Sequence, residues 1–98
     1  MKIVFPGSFD PLTNGHKKII LKALRIFESV NILILNNINK KSLFTLEERK
    51  DIISNIFKDY NNVSVELYSG LLSEYIENND VNIIVRGVRN TLDFESEK

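Results

Sequence analysis

The amino-acid sequence predicts an α/β fold with a Rossmann-like parallel sheet. Two observations lead to this class: short apolar runs recur along the 98 residues, and amphipathic helical segments separate them in the order β-α-β-α-β-α-β. Such an alternation is typical of a parallel sheet whose helices lie on its faces and cross over in the right-handed sense. Because a chain of this length ordinarily forms one domain, we expect residues 1–98 to be a single Rossmann-like domain.

The first strand and the first helix follow from the residue pattern near the N-terminus. Ile3-Val4-Phe5 is a continuous apolar run ended by Pro6-Gly7, as expected of a buried parallel strand. From Asn14 to Glu28 apolar residues recur at helical spacing, which predicts an amphipathic helix. The apolar positions of that helix are Ile19, Ile20, Ala23, Leu24 and Phe27.

The middle of the chain repeats the strand and helix pattern. Residues 32–35 are apolar and predict a second strand, and the polar residues 36–42 have loop composition. Thr45 and Glu48 then fit a capping box, in which a hydroxyl and a carboxylate satisfy free N–H groups at a helix start. The buried face predicted for this helix consists of Ile52, Ile53, Ile56 and Phe57.

The last elements are shorter. After the turn signal Asn61-Asn62, residues 63–67 alternate like a strand with one wet face, residues 71–76 predict a short helix, and residues 81–85 predict a fourth strand. Residues 93–98 look like the beginning of a further helix, with acidic residues near its positive end. We therefore expect that the sequence is truncated at its C-terminal end.

Composition narrows the classes of partner. Thirteen Lys and Arg balance thirteen Asp and Glu, so no overall basic field favours nucleic acid or an anionic membrane. There is no cysteine, which excludes disulfides and thiolate metal sites. No apolar run approaches the roughly 18–20 residues of a membrane span, and the N-terminal apolar run is too short for a signal peptide. We expect a cytoplasmic protein.

The segment from Pro6 to His16 carries the clearest chemistry. Gly7 lets the backbone pass close to a ligand, and the Ser8 hydroxyl with nearby N–H groups can bind phosphate oxygens. His16 falls at a helix start, where free N–H groups and the helix dipole favour an anion. These features predict a phosphate site. The alternative is a plain turn between strand and helix, with His16 on the surface.

Further candidates lie later in the chain. Arg86 and Arg89 flank Gly87 directly after the fourth apolar run, so their segment and the one after strand one would share the carboxyl edge of the sheet, where ligands bind. Lys40, beside Lys41, is by itself an ordinary solvated loop lysine. Two other positions are ordinary when taken alone. Leu72 by itself predicts a core residue, and Glu97 by itself predicts an exposed acidic residue.

Several segments together resemble a known family. Residues 6–16 are similar to the Gly-Ser/Thr-Phe-Asp-Pro and Thr-x-Gly-His signature of the nucleotidyltransferase superfamily, and the form with Thr13 resembles phosphopantetheine adenylyltransferases. Residues 40–41 and 44–49 look like the second conserved stretch of that family. Residues 86–89, with 93–95 and Glu97, look like its third. The resemblance covers the whole chain.

The resemblance implies transfer of AMP from ATP to 4'-phosphopantetheine, with Mg²⁺ accompanying ATP. It implies that His16, Lys40 and Arg86 are catalytic, His16 by stabilising the transition state. The residues implied to meet phosphopantetheine are Ser8, Lys40, Leu72 and Arg86. Those implied to meet ATP are Ser8, Phe9, His16, Gly87, Val88, Arg89 and Glu97. The family usually forms hexamers, so a homo-oligomer is also implied.

One departure from the family pattern leaves alternatives open. Members continue with further helices, a fifth strand and a Ser-rich stretch at a helix start that grips the ATP phosphates, and this sequence lacks them. A shortened chain could be an inactive nucleotide-binding fragment. A second alternative keeps the reaction and changes the acceptor, as in nicotinamide-mononucleotide adenylyltransferases or cytidylyltransferases. Thr13 and residues 86–89 argue against this second alternative.

Overall fold

A computed structural model gives the fold and describes residues 1–36, 42–88 and 91–96. Eight elements follow one another within these described residues. They are β1 (Ile3–Gly7), α1 (Asn14–Ile26), β2 (Val30–Leu35), α2 (Leu46–Ile56), β3 (Val63–Tyr68), α3 (Leu72–Asn78), β4 (Ile83–Val88) and β5 (Thr91–Ser96). The predicted β-α-β-α-β-α-β order is confirmed for the first seven elements, and their ends differ from the predicted ones by at most three residues. No helix in the described part of the chain is long and apolar enough to cross a membrane.

One sheet contains the five strands of the described residues, in the order β3-β2-β1-β4-β5. The first four strands run parallel, as predicted, with β1 paired to both β2 and β4. The sheet is therefore Rossmann-like, and its strand order reverses at β1. This reversal matters because ligands in open α/β sheets bind where it occurs.

The prediction of a helix start at residues 93–98 is wrong for the residues that the structure describes. Thr91–Ser96 forms β5, which pairs antiparallel with β4. The sequence of this segment alternates, with Leu92 and Phe94 between polar neighbours, and β4 would otherwise be an edge strand with unpaired backbone groups. Pairing with that edge gives the segment a strand conformation that its acidic residues alone do not predict.

The end of the fourth strand was also misplaced. Arg86, Gly87 and Val88 were expected beyond the strand, but β4 continues through Val88. Pairing with β5 extends it, since Arg86 lies opposite Asp93 and Val88 opposite Thr91. Arg86 therefore lies on a paired strand and not on a loop.

Two apolar layers hold the helices to the sheet. The larger layer places the inner faces of α1 and α2 against one face of the sheet, with Ile20, Ala23 and Ile53 fully buried. The smaller layer packs α3 on the opposite face, around Tyr75 and Val81. Helices on both faces leave the carboxyl edge of the sheet open between them.

Candidate active site

The candidate site is a cleft of about 430 Å³ at the carboxyl edge of the sheet. It lies beside the point where the strand order reverses, since β1 has β2 on one side and β4 on the other. Pairing between β1 and β4 is confined to Ile3 with Ile83 and Val4 with Ile84, so the two strands separate before Pro6. The lining residues are Phe5, Pro6, Gly7, Phe9, His16, Leu35, Leu72 and Arg86.

His16 is held in one orientation by the N-cap of α1. The hydroxyl of Thr13 accepts a hydrogen bond from the backbone N–H of His16 at 3.3 Å, and Nδ1 of His16 accepts one from the backbone N–H of Thr13 at 2.9 Å. The pair forms a capping box in which the imidazole takes the place usually held by Glu or Gln. Because Nδ1 is an acceptor, the proton of the neutral ring lies on Nε2.

The ring of His16 is half-buried against aromatic neighbours. Its centroid lies 5.1 Å from that of Phe9 and 6.2 Å from that of Phe5, both in edge-to-face geometry. Burial lowers the pKa of His16 from its ordinary value of 6.5. Protonation would also place a second N–H against the Thr13 N–H. His16 is therefore a neutral donor at neutral pH, with Nε2–H as the group that remains for a ligand.

Phe9 makes the sharp turn between β1 and the loop that leads to α1. Its φ of 46° lies in the left-handed region, which bulky residues rarely adopt, and its side chain is only 3% exposed. Gly7 makes room for the ring: a Cβ there would lie 3.0 Å from the Phe9 ring carbon Cζ. The turn thus folds the Phe9 side chain back against Phe5 and His16 and leaves the Ser8–Phe9 backbone beside the cleft.

Two long-range contacts hold this turn on either side of Phe9. A guanidinium nitrogen of Arg49 (Nη1) donates to the carbonyl of Ser8 at 2.9 Å. The two carboxylate oxygens of Asp10 accept from the backbone N–H groups of Leu43 and Phe44 at 2.7 and 2.8 Å. The turn is therefore tied to the segment that leads into α2.

Arg49 supports the turn beside the cleft, a role that the sequence pattern alone did not indicate. Within residues 1–36 and 42–86, its side chain is the one charged group that is buried, at 3% exposure. A sequence signal was available, since Arg49 precedes Ile53 and Phe57 at intervals of four residues on the buried face of α2. A charge on an apolar stripe indicates a specific partner.

Five of the sequence-predicted residues within the described part of the chain lie at this cleft. Phe9, His16, Leu72 and Arg86 line it together, Leu72 from the start of α3 and Arg86 as an exposed side chain of β4. Ser8 lies between the lining residues Gly7 and Phe9.

The remaining predicted residues lie at the end of β4 or outside the described residues. Gly87 and Val88 belong to the paired end of β4. Lys40, Arg89 and Glu97 lie outside the described residues, so their predicted roles stay predictions.

The chemistry of the described lining suits an anionic ligand with an apolar part. Nε2–H of His16 and the guanidinium of Arg86 are donors suited to phosphate oxygens, while Phe5, Leu35 and Leu72 offer apolar surface. Among the residues that the structure describes, there is no group of three or more His, Asp or Glu side chains placed to hold a metal ion.

Comparison with known proteins agrees with this class of site. The family described as cytidylyltransferase-like matches residues 4–98, and the chain belongs to that family. Its fold is thus that of a nucleotidyltransferase domain.

Particular relatives share one enzyme name. A phosphopantetheine adenylyltransferase from Dictyoglomus turgidum is 48% identical over 97 residues, covering 99% of this chain and 61% of the relative. Enzymes of the same name from Clostridium tetani and Hahella chejuensis are 47% and 44% identical, covering 96% and 97% of this chain and 59% of each relative. The chain spans about three fifths of the length of these relatives.

Proposed function

We propose that this chain carries the adenylyl-transfer site of a phosphopantetheine adenylyltransferase, which moves AMP from ATP to 4'-phosphopantetheine and releases pyrophosphate. The observation that carries the proposal is the His16 imidazole, held by Thr13 with its N–H at Nε2 and lining the cleft where the strand order reverses. The relatives named as phosphopantetheine adenylyltransferases support this choice of reaction.

The proposed reaction requires no covalent intermediate with the protein. A phosphate oxygen of 4'-phosphopantetheine attacks the α-phosphorus of ATP, the bond to the β-phosphate oxygen breaks, and pyrophosphate leaves in line. The attacking oxygen is already anionic near neutral pH, so no general base is required. Catalysis then consists of holding two anions together and stabilising the charge that develops on the phosphoryl oxygens.

The proposed roles divide the cleft between the two substrates. His16 donates from Nε2 to an α-phosphate oxygen as the transition state forms, and Arg86 with Lys40 offsets repulsion between the two anions. Leu72 contacts the pantetheine arm, while Ser8 lies where the substrates meet. The remaining proposed ATP contacts are Phe9, Gly87, Val88, Arg89 and Glu97.

Magnesium is proposed to enter with ATP. The described lining offers N–H and guanidinium donors, which suit phosphate oxygens and not a metal ion, so the triphosphate and water would supply most of the magnesium ligands. Its chemistry there would be charge neutralisation on the departing pyrophosphate. We also propose that the protein is cytoplasmic and assembles as a homo-oligomer, a hexamer by resemblance. Light scattering coupled to size-exclusion chromatography tests the assembly.

Calorimetry and a turnover assay test the function together. The chain is titrated with ATP and with CTP, and formation of dephospho-coenzyme A from ATP and 4'-phosphopantetheine is followed by chromatography. We expect ATP to bind more tightly than CTP, and product to form in the parent chain but at a much lower rate in His16→Ala. Nicotinamide mononucleotide in place of 4'-phosphopantetheine serves as the control acceptor.

The outcomes distinguish the alternatives. ATP binding without product identifies a nucleotide-binding fragment and contradicts the proposed activity of this chain. If ATP and 4'-phosphopantetheine give no product, turnover with nicotinamide mononucleotide identifies a different acceptor, and turnover with CTP identifies a different nucleotide. Absence of ATP binding overturns the proposal as a whole.

A further inference from the structure

Hydrogen bonds from residues distant in sequence hold the turn at Phe9. Ser8, on one side of Phe9, accepts a hydrogen bond from Arg49, and Asp10, on the other side, accepts two from the backbone of residues 43 and 44. These contacts join positions separated by 33 to 41 residues in sequence. They are not consequences of local turn formation.

Phe9 needs such support because its backbone is in an unfavourable region. A bulky residue with φ of 46° persists only where the surrounding structure holds it there. Burial of the ring contributes, and the two flanking contacts restrict the peptide groups before and after it. Loss of either contact would let the Phe9 backbone relax towards an ordinary conformation.

Relaxation at Phe9 would reach His16 directly. The Phe9 ring packs edge-to-face on the His16 ring at 5.1 Å, and it also contacts Phe5, which packs on His16 from the strand side. The Thr13 N–H holds the Nδ1 edge of the imidazole, and the imidazole packs against the rings of Phe5 and Phe9. The position of the ring therefore depends on where the Phe9 turn is held.

We propose that Arg49 and Asp10 are positioning residues: they hold the Phe9 turn and, through the Phe9 ring, set the place of the His16 imidazole in the cleft. Arg49 is suited to this role because it is buried and also donates to the Thr45 carbonyl at the start of α2. The guanidinium thus joins the start of α2 to the Ser8–Phe9 turn. The kinetic consequence of this inference rests on the proposed function, whereas the structural consequence does not.

Nuclear magnetic resonance of His16 tests the structural consequence without any assay of activity. The chain has one histidine, so its ring signals are unambiguous. Arg49→Met and Asp10→Asn are compared with Arg25→Met and Asp51→Asn, which make the same chemical changes at exposed positions of α1 and α2. We expect the His16 ring signals to move in both test variants and to stay in place in both controls. The reason is that the positions of the Phe9 and Phe5 rings relative to His16, and with them the ring-current shifts of the His16 signals, change only in the test variants.

Steady-state kinetics tests the consequence for the reaction. Displacement of a catalytic group by about 1 Å costs roughly a hundredfold in rate, so we expect kcat to fall about tenfold to a hundredfold in Arg49→Met. The KM for ATP should change far less, since Arg49 does not line the cleft. Arg49→Lys, which can still donate to the Ser8 carbonyl, should recover part of the lost kcat.

Each outcome decides between support and rejection. Unmoved His16 signals in folded Arg49→Met and Asp10→Asn overturn the inference, and so do moved signals with an unchanged kcat. If Arg49→Met does not fold, the nearly isosteric Asp10→Asn decides by the same signals. If the parent chain lacks turnover, moved signals in the two variants still support the positioning role, while the missing turnover contradicts the proposed function, so the two failures are distinguishable.

Discussion

The backbone N–H of Thr13 lies 2.9 Å from Nδ1 of His16. This contact uses the one ring nitrogen that could otherwise accept a proton from a substrate, and it leaves Nε2 as the donor. A histidine so held suits the stabilisation of a phosphoryl oxygen better than proton abstraction. Three predictions follow from this and from other contacts in the described part of the chain, and a fourth, on Lys40, follows from the family resemblance.

Substitutions at His16 distinguish the contributions of its two ring nitrogens to turnover. His16→Ala is expected to lower kcat by roughly 10²- to 10³-fold, with a much smaller change in ATP affinity, because a bond made mainly in the transition state is lost. His16→Gln carries an N–H near the former Nε2 and should recover part of the loss. His16→Asn carries its amide near the former Nδ1, so it should recover less. Steady-state kinetics with both substrates measures the difference.

Thermal melts of each variant provide the control for that series. A histidine with a merely structural role would lower the melting temperature and would affect binding and turnover together. An unchanged kcat in folded His16→Ala would remove His16 from the mechanism.

The lowered pKa of His16 predicts a pH dependence of stability. Burial holds its pKa in the folded state below 6.5, so the unfolded chain binds the proton more readily. The free energy of unfolding should therefore keep the full contribution of His16 above pH 6.5 and lose it as pH falls from 6.5 through the lowered pKa. Melting of the parent and of His16→Gln between about pH 5 and pH 8 should show the parent losing more stability on the acid side. Parallel curves would contradict the pKa direction.

Lys40 is predicted to bind the acceptor phosphate. Lys40→Ala should raise the KM for 4'-phosphopantetheine more than the KM for ATP, with a loss of transition-state stabilisation of about 2–4 kcal/mol, as for other single donors to a phosphoryl group. Lys41→Ala is the matched control, since it removes an adjacent lysine. Equal effects of Lys40→Ala on both KM values would contradict the assignment.

Tyr75 is predicted to stabilise the fold without affecting the cleft. Its buried hydroxyl donates to the Glu66 carboxylate at 2.5 Å and accepts from the Asn31 amide at 3.1 Å. Burial, with the Glu66 hydrogen bond, raises the pKa of Tyr75, so the hydroxyl keeps its proton. Tyr75→Phe leaves partners unsatisfied and should cost about 1–3 kcal/mol in the free energy of unfolding, measured by chemical denaturation.

The control for Tyr75 is the exposed Tyr60. Tyr60→Phe should change the free energy of unfolding by no more than about 0.5 kcal/mol. ATP affinity should be the same in both variants, because neither residue lines the cleft. Weakened ATP binding in folded Tyr75→Phe would show that α3 transmits its packing to the site.

Local patterns were sufficient for the first seven elements and for the place of the cleft. Continuous apolar runs predict buried parallel strands, and the Thr45–Glu48 capping box, confirmed by two reciprocal hydrogen bonds, marks the start of α2. Because parallel strands present their carboxyl ends at one edge, the sequence also placed His16 and Arg86 together, and both line the cleft.

Tertiary contacts decided what local pattern left open. The acidic residues of 93–98 indicated a helix start, yet pairing with the open edge of β4 makes Thr91–Ser96 a strand, since unpaired backbone groups on that edge outweigh a weak local preference. Likewise, nothing near Phe9 in sequence predicts its left-handed backbone. That conformation depends on Arg49 and Asp10, whose hydrogen bonds span more than thirty residues and exist only once the sheet and α2 have packed. Local propensity selects helices and strands, but hydrogen bonds between distant segments set the positions of individual side chains.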